Sequence, residues 1–387
     1  MEQKGSRRFG QYLKQLREER RLTLDQVEER SLTFETRISK AWLSRCENGL
    51  KQPSIDRLSV LSKIYHTSIG QLVDRRELEA ELDAIAPIDV SSLSSEEFRE
   101  RGMEFAERGE LKAAIACFRG AEERAFFETG DFRSEAGAKA QLSVAIALAR
   151  MARYRLAKDE AEAALGRMAH ESLDALRALL LIAMCHLRQG NAQVSRIFLE
   201  GLRGKLDALP TKDRADFHLF NGNVQEQMKD YRGAIKSYRR ASALYKTVRN
   251  LLGQAKALRN AGISYGRLGE RERGIQHVTR ALNTSNRVDD KQEIARDLET
   301  LGELHYLLGA KKQARSFLNQ SIELSRRGDY FDTLFAAYFY LWRIDKELGR
   351  RETASLERAM RSLLPKLEGF LEEAEEFRAL STEKANA

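Results

Sequence analysis

The chain is poor in the residues that rigidify or staple a fold. Of its 387 residues only three are cysteine and four are proline, and 8% are aromatic. Cys46, Cys117 and Cys185 are odd in number and far apart, which excludes a disulfide framework and a CxxC metal site. No stretch reaches the ~18 consecutive apolar residues of a membrane span, and MEQKGSRRFG has no apolar run behind it to act as an export signal. A reducing, cytoplasmic setting is the expectation. No GxxxxGK(S/T), HExxH or GxSxG string occurs and the six histidines are scattered, so the sequence offers no enzyme site, metal site or cofactor site. Scarce proline leans towards helix.

Apolar and charged material is abundant. With 42% hydrophobic and 32% charged residues the chain can bury a large core, and global disorder is excluded. At roughly 100–200 residues per domain, the length fits two or three domains, or one domain and an array. The net charge is +8, and residues 1–76, with sixteen basic and ten acidic side chains, hold +6 of it. An anionic partner is therefore expected first at the N-terminus.

Residues Phe9–Val73 read as five short helices. Phe9, Tyr12, Leu13 and Leu16 give the first an apolar face, ending near Arg20. Thr23 and Gln26 predict a capping box for a second helix at about Asp25–Arg30. Ser39 is a natural N-cap for a third over Ser39–Glu47, with Trp42, Leu43 and Cys46 as its buried stripe and Asn48-Gly49 as its stop. Pro53-Ser54 opens a fourth and Ser68 a fifth. The run SKAWLSRCENGLKQPSIDRLSVLSKIYHTSIGQLV resembles the Xre/Cro, lambda-repressor-like helix-turn-helix family. That resemblance implies that the third helix enters the major groove of double-stranded DNA, with Lys40, Ala41, Ser44 and Arg45 as its reading face. Ser39 and Asn48 would then hold phosphates, and Arg37 would reach another. Two features depart from the family: Leu24 stands where a phosphate-binding Gln is usual, and the turn Ser31–Arg37 is about five residues longer.

Beyond a helical linker at 77–94, whose PIDVSSLSS stretch marks a boundary, residues 95–360 repeat themselves. Gly102, Ala145, Ala183, Gly222, Gly262, Gly302 and Trp342 stand 43, 38, 39, 40, 40 and 40 residues apart, each followed by a turn and a second apolar pattern. Small residues let the second helix of each pair approach the first, and stacked pairs bury a core that one pair cannot. The grid, most clearly in DYRGAIKSYRRA, resembles the tetratricopeptide repeat, about seven copies with a period longer than the usual 34. Residues 361–387 read as a capping helix and acidic tail.

The fold class expected is thus all-α: an N-terminal lambda-repressor-like helix-turn-helix domain over 1–76, then a tetratricopeptide superhelical solenoid. The repeat resemblance implies a ligand groove lined by Arg150, Arg188, Asn223, Arg259, Asn260, Arg267 and Arg296. There Asn pairs with peptide amides and Arg grips a carboxylate, so the partner expected is an acidic or C-terminal peptide, or a protein. Groove acids such as Glu299 and Glu303 are the competing partners for those cations. The combination resembles regulators that couple a helix-turn-helix to peptide-pheromone-binding repeats, which implies a homodimer on a palindromic operator. The alternative is a repeat scaffold whose helix-turn-helix no longer binds DNA specifically.

Overall fold

The computed structural model describes residues 5–83, 93–131, 134–350, 353–367 and 371–386. Within them the chain is helical throughout and forms no strand. Two compact units, Met1–Met168 and Ala169–Ala387, divide it.

The first unit begins with α1 (Arg7–Glu19), α2 (Leu24–Ser31), α3 (Lys40–Glu47), α4 (Ile55–Ile64) and α5 (Ile69–Asp83). The Ser6, Thr23, Ser39 and Ser54 side chains each accept from a backbone N–H of the following turn, and Thr23 and Gln26 close the expected capping box. Phe9, Leu13, Leu43, Cys46, Leu58, Leu61 and Leu72 meet in one buried cluster. Gly10 lets α1 lie against α3: a Cβ there would stand 2.6 Å from the Glu47 carbonyl oxygen. The same two helices are joined by a buried ion pair, in which Arg17 Nε and Nη2 donate to the Glu47 carboxylate at 2.7 and 2.8 Å. The fifth helix runs on to Asp83, past the domain edge expected at 76, and half of the expected linker, residues 84–92, lies outside the described residues. Two helix pairs follow, α6 (Ser95–Glu107) with α7 (Leu111–Thr129), and α8 (Glu135–Arg150) with α9 (Tyr154–Leu165).

The second unit holds five more pairs: α10 (Leu173–Arg188) and α11 (Ala192–Leu202), α12 (Thr211–Gln227) and α13 (Tyr231–Thr247), α14 (Leu251–Arg267) and α15 (Arg271–Val288), α16 (Lys291–Leu307) and α17 (Lys311–Arg327), α18 (Phe331–Glu347) and α19 (Thr353–Leu363). A last helix, α20 (Glu372–Asn386), closes the chain. The long period has a plain cause: α12 to α18 are each 17 or 18 residues long. The small grid positions are where helices touch. A Cβ at Gly222 would stand 2.5 Å from the Tyr238 ring, and one at Gly262 2.9 Å from the Gly274 carbonyl oxygen. α18 departs from the amphipathic pattern, with twelve of its residues, Thr333–Trp342 together with Ile344 and Asp345, buried on all sides.

Candidate DNA-reading face and repeat groove

On α3 the apolar stripe points inward and leaves a contiguous polar face. Arg37, Ser39, Lys40, Ala41, Arg45 and Asn48 are exposed and Ser44 is half-buried, while Trp42, Leu43 and Cys46 are buried. The Ser39 Oγ accepts from the Trp42 N–H at 3.3 Å, and Asn48 Nδ2 donates to the Ser44 carbonyl at 2.8 Å, so both ends of the helix are fixed by its own polar residues. Lys40 Nζ donates to Asp25 at 2.8 Å, which ties the start of α3 to α2. The long turn before α3 is held rather than loose. Ser31 Oγ donates to the Ile38 carbonyl at 3.2 Å and accepts from the Ile38 N–H at 2.9 Å, with Ile38 itself buried. Leu24, in place of the usual Gln, packs against the core of this domain.

A cluster of buried charges joins α5 to the first two helix pairs. Arg75 contacts Glu79, at 2.9 Å, and Glu160 on α9; Arg119 on α7 reaches Glu79 at 2.8 Å and Glu160 at 3.4 Å. Gln141 Nε2 on α8 donates to Glu160 at 3.0 Å. Burial raises the Glu160 carboxyl, but Arg75 and Arg119 with the Gln141 hydrogen bond overcome this and hold it at about 2. Around this centre Gln71 donates to Asp159, Arg155 to Asp74 and Arg153 to Glu81. Sequence reasoning missed these residues. A signal was there: Glu160 falls on the apolar stripe Leu156, Ala157, Ala161 and Ala164, and Glu79 lies between Leu78 and Leu82.

The seven residues read as a peptide groove are distributed differently. Arg150 belongs to the first unit and the other six to the second. Asn260 Nδ2 donates to Asn223 Oδ1 at 2.9 Å, and the Tyr238 hydroxyl donates to the same oxygen at 2.8 Å. Arg259 is buried and donates to Glu293 at 2.6 Å and Asp297 at 3.1 Å, which corrects its reading as a groove cation open to ligand. Arg296 pairs with Glu293 one turn back, at 3.1 Å. Arg188 is exposed at the end of α10.

Arg267 remains on the first-helix face, between Glu303 at 3.4 Å and Glu372 of α20 at 3.0 Å. The last helix lies on this face. Tyr340 donates to Glu373 at 3.3 Å, Arg343 pairs with Glu376 at 3.2 Å, and Phe377 is buried edge-on against Phe335 and Trp342. Burial, with Glu303 nearby, pushes the Glu373 carboxyl up to about 7, and burial does the same to Glu226. Glu299 and Glu303 are raised by burial as well, Glu299 further by its two acidic neighbours Glu303 and Glu373. Among the described residues no group of three His, Cys, Asp or Glu side chains could hold a metal ion, and no helix is long and apolar enough to cross a membrane.

Comparison with known proteins defines the same two parts. Residues 8–77 match a helix-turn-helix domain and residues 253–327 a tetratricopeptide repeat. The chain therefore carries an N-terminal helix-turn-helix domain followed by tetratricopeptide repeats, as its sequence implies, and neither family is catalytic. No curated protein sequence matches it. Among solved structures, the apo form of RapI is similar over 93% of this chain and 96% of its own, at 15% identity and a TM-score of 0.53. The hetero-tetramer Cut9-Hcn1 is similar over 75% of this chain and 52% of its own, at 17% identity and a TM-score of 0.52. At these identities the likeness is one of fold.

Proposed function

We propose that the protein is a cytoplasmic, sequence-specific DNA-binding regulator, acting as a homodimer, whose repeats receive a peptide or protein ligand that controls operator binding. The observation that carries this reading is the buried charge cluster of Arg75, Glu79, Arg119 and Glu160. It makes the helix-turn-helix domain and the first two repeat pairs one packed body, so a change in those pairs must be felt by the reading head. Base contacts fall to Lys40, Ala41, Ser44 and Arg45, and phosphate contacts to Arg37, Ser39 and Asn48. Arg45 is the residue suited to a bidentate guanine contact, worth about 1–3 kcal/mol of discrimination.

On the repeats, α20 indicates the chemistry that the first-helix face accepts: carboxylates against Arg267 and Arg343, and an aromatic ring between Phe335 and Trp342. An acidic peptide with an aromatic residue fits the same positions and must compete with α20. Such a ligand changes DNA affinity only by its difference in affinity between the two states. The reading is tested by selecting binding sites from random duplex DNA and repeating the selection with Arg45→Ala. A preferred palindrome that loses base preference at one position per half-site, while non-specific binding remains, is expected. Failure of the wild type to enrich any sequence would sink the regulator and leave a repeat scaffold.

A further inference from the structure

The N-terminal charge excess is the smaller of two. Residues 231–288, spanning α13, α14 and α15, contain thirteen basic and two acidic side chains, a net of +11 that exceeds the +8 of the whole chain. The remainder of the molecule is therefore net acidic. Between α13 and α15 run two adjoining hollows of about 550 and 520 Å3, which share Lys246, Gln254, Leu258 and Arg280. Arg239 and Lys246 line them from α13, Arg249 from the turn after it, and Arg273, Arg280 and Arg287 from α15. All six are exposed, and no carboxylate lines either hollow. Among the described residues only Arg273 has an acidic partner, Glu270 at 2.6 Å.

The spacing is regular. Arg239 and Lys246 are seven residues apart, as are Arg273, Arg280 and Arg287. Seven residues are two helical turns, so cations recur on one face about every 10.5 Å along each wall. Burial and the Arg280 and Arg239 charges push the His277 imidazole on this furrow below its ordinary range, a sign of the unrelieved positive field. Like charges held on facing walls are repulsive until an anion enters. The furrow lacks an exposed aromatic or large aliphatic side chain, the kind of anchor that carries a protein interface. A phosphodiester strand needs no such anchor and is gripped by guanidinium groups.

We propose that the furrow between α13 and α15 is a second nucleic-acid contact, a binding site for the phosphate backbone of DNA that reads no sequence. It rests on the DNA-binding reading above and adds a sequence-independent hold separate from the base contacts of α3. The test uses the full chain with four substitutions, Arg239→Gln, Lys246→Gln, Arg280→Gln and Arg287→Gln, all at exposed positions, with its melting curve compared with that of the wild type. Affinity for random-sequence duplex DNA is measured over a series of salt concentrations. Each phosphate contact contributes about 0.9 to the slope of log K against log salt. The variant is expected to melt with the wild type and to lose roughly two to four from that slope, and to do so equally in an Arg45→Ala background. An unchanged slope overturns the furrow assignment while leaving the reading head intact, whereas salt-insensitive DNA binding by the wild type overturns both. Polyglutamate of matched charge is the control. If the variant loses polyglutamate binding but keeps its DNA slope, the furrow belongs to an acidic protein and the proposal fails.

Discussion

At Glu160 a single buried carboxylate answers two guanidinium groups and an amide, and its removal leaves Arg75 and Arg119 to share Glu79 alone. Breaking such a pair costs about 3–5 kcal/mol. Glu160→Gln is therefore expected to lower the melting temperature of the first unit, whereas a change at exposed Glu135 leaves it nearly unmoved; differential scanning calorimetry of the two variants decides. The same group sets an acid limit. Its ordinary value of 4.5 is held at about 2 in the folded chain. The stability it supplies, roughly 3 kcal/mol at ~1.36 kcal/mol per unit, is complete above 4.5 and is lost as the pH falls towards 2. Acid titration of the wild type should therefore lose more stability over that interval than titration of Glu160→Gln. The apolar side of this region was legible from spacing, since Leu78, Leu82, Leu156 and Ala164 fall on helical stripes. The ionic side was not, because a sequence does not say which charged residue has a partner waiting on another helix.

Among the elements, α20 is the one whose role differs most from its composition. A stretch reading LEEAEEF is acidic enough to belong in solvent, yet Phe377 draws it onto α18 and Arg267 and Arg343 meet its carboxylates. Truncation after Lys366 should expose Trp342 to quencher and raise affinity for an acidic aromatic peptide at least several-fold, measured by fluorescence anisotropy. Equal affinity in both forms would mean that α20 and the ligand do not share the face. The docking also carries a pH sign. Glu373 stands at about 7 in the folded chain against an ordinary 4.5, raised by burial and by the nearby Glu303 and Glu372, with a backbone hydrogen bond and Arg267 offsetting only part of the rise. Its contribution is present below 4.5 and lost as the pH rises through about 7. Amide exchange over 372–380, corrected for the intrinsic rate, should accordingly report weaker protection at pH 8 than at pH 6. In the helix-turn-helix domain the sequence is more readable: the caps at Thr23, Ser39 and Ser54 stand where their side-chain chemistry requires them. The groove is less so, for Asn223, Asn260 and Arg259 were placed by family analogy, whereas their partners, including Glu293 and Asp297, depend on how neighbouring pairs stack.

Taken as a whole molecule, the chain separates its charges by position: a basic head, a more strongly basic stretch over 231–288 and an acidic balance elsewhere. The total of +8 conceals this, and only local counting along the repeats reveals it. The repeat period itself was fully legible, because close helix contacts demand Gly at 222, 262 and 302, but its extra length became intelligible only with 17-residue helices. Residues 93–387 made without the head should expose Arg119 and Glu160 together. Their first two pairs are expected to become sensitive to protease under conditions in which the full chain resists, and equal resistance would show that α5 is dispensable to them. Finally, α18 has a consequence for how the molecule is made. It is buried on every side, and Phe377, which covers Phe335 and Trp342, is translated thirty-five residues after Trp342. At about 5–20 residues per second that interval is roughly two to seven seconds, in which α17 can already pack one side of the helix while the side that Phe377 covers stays open.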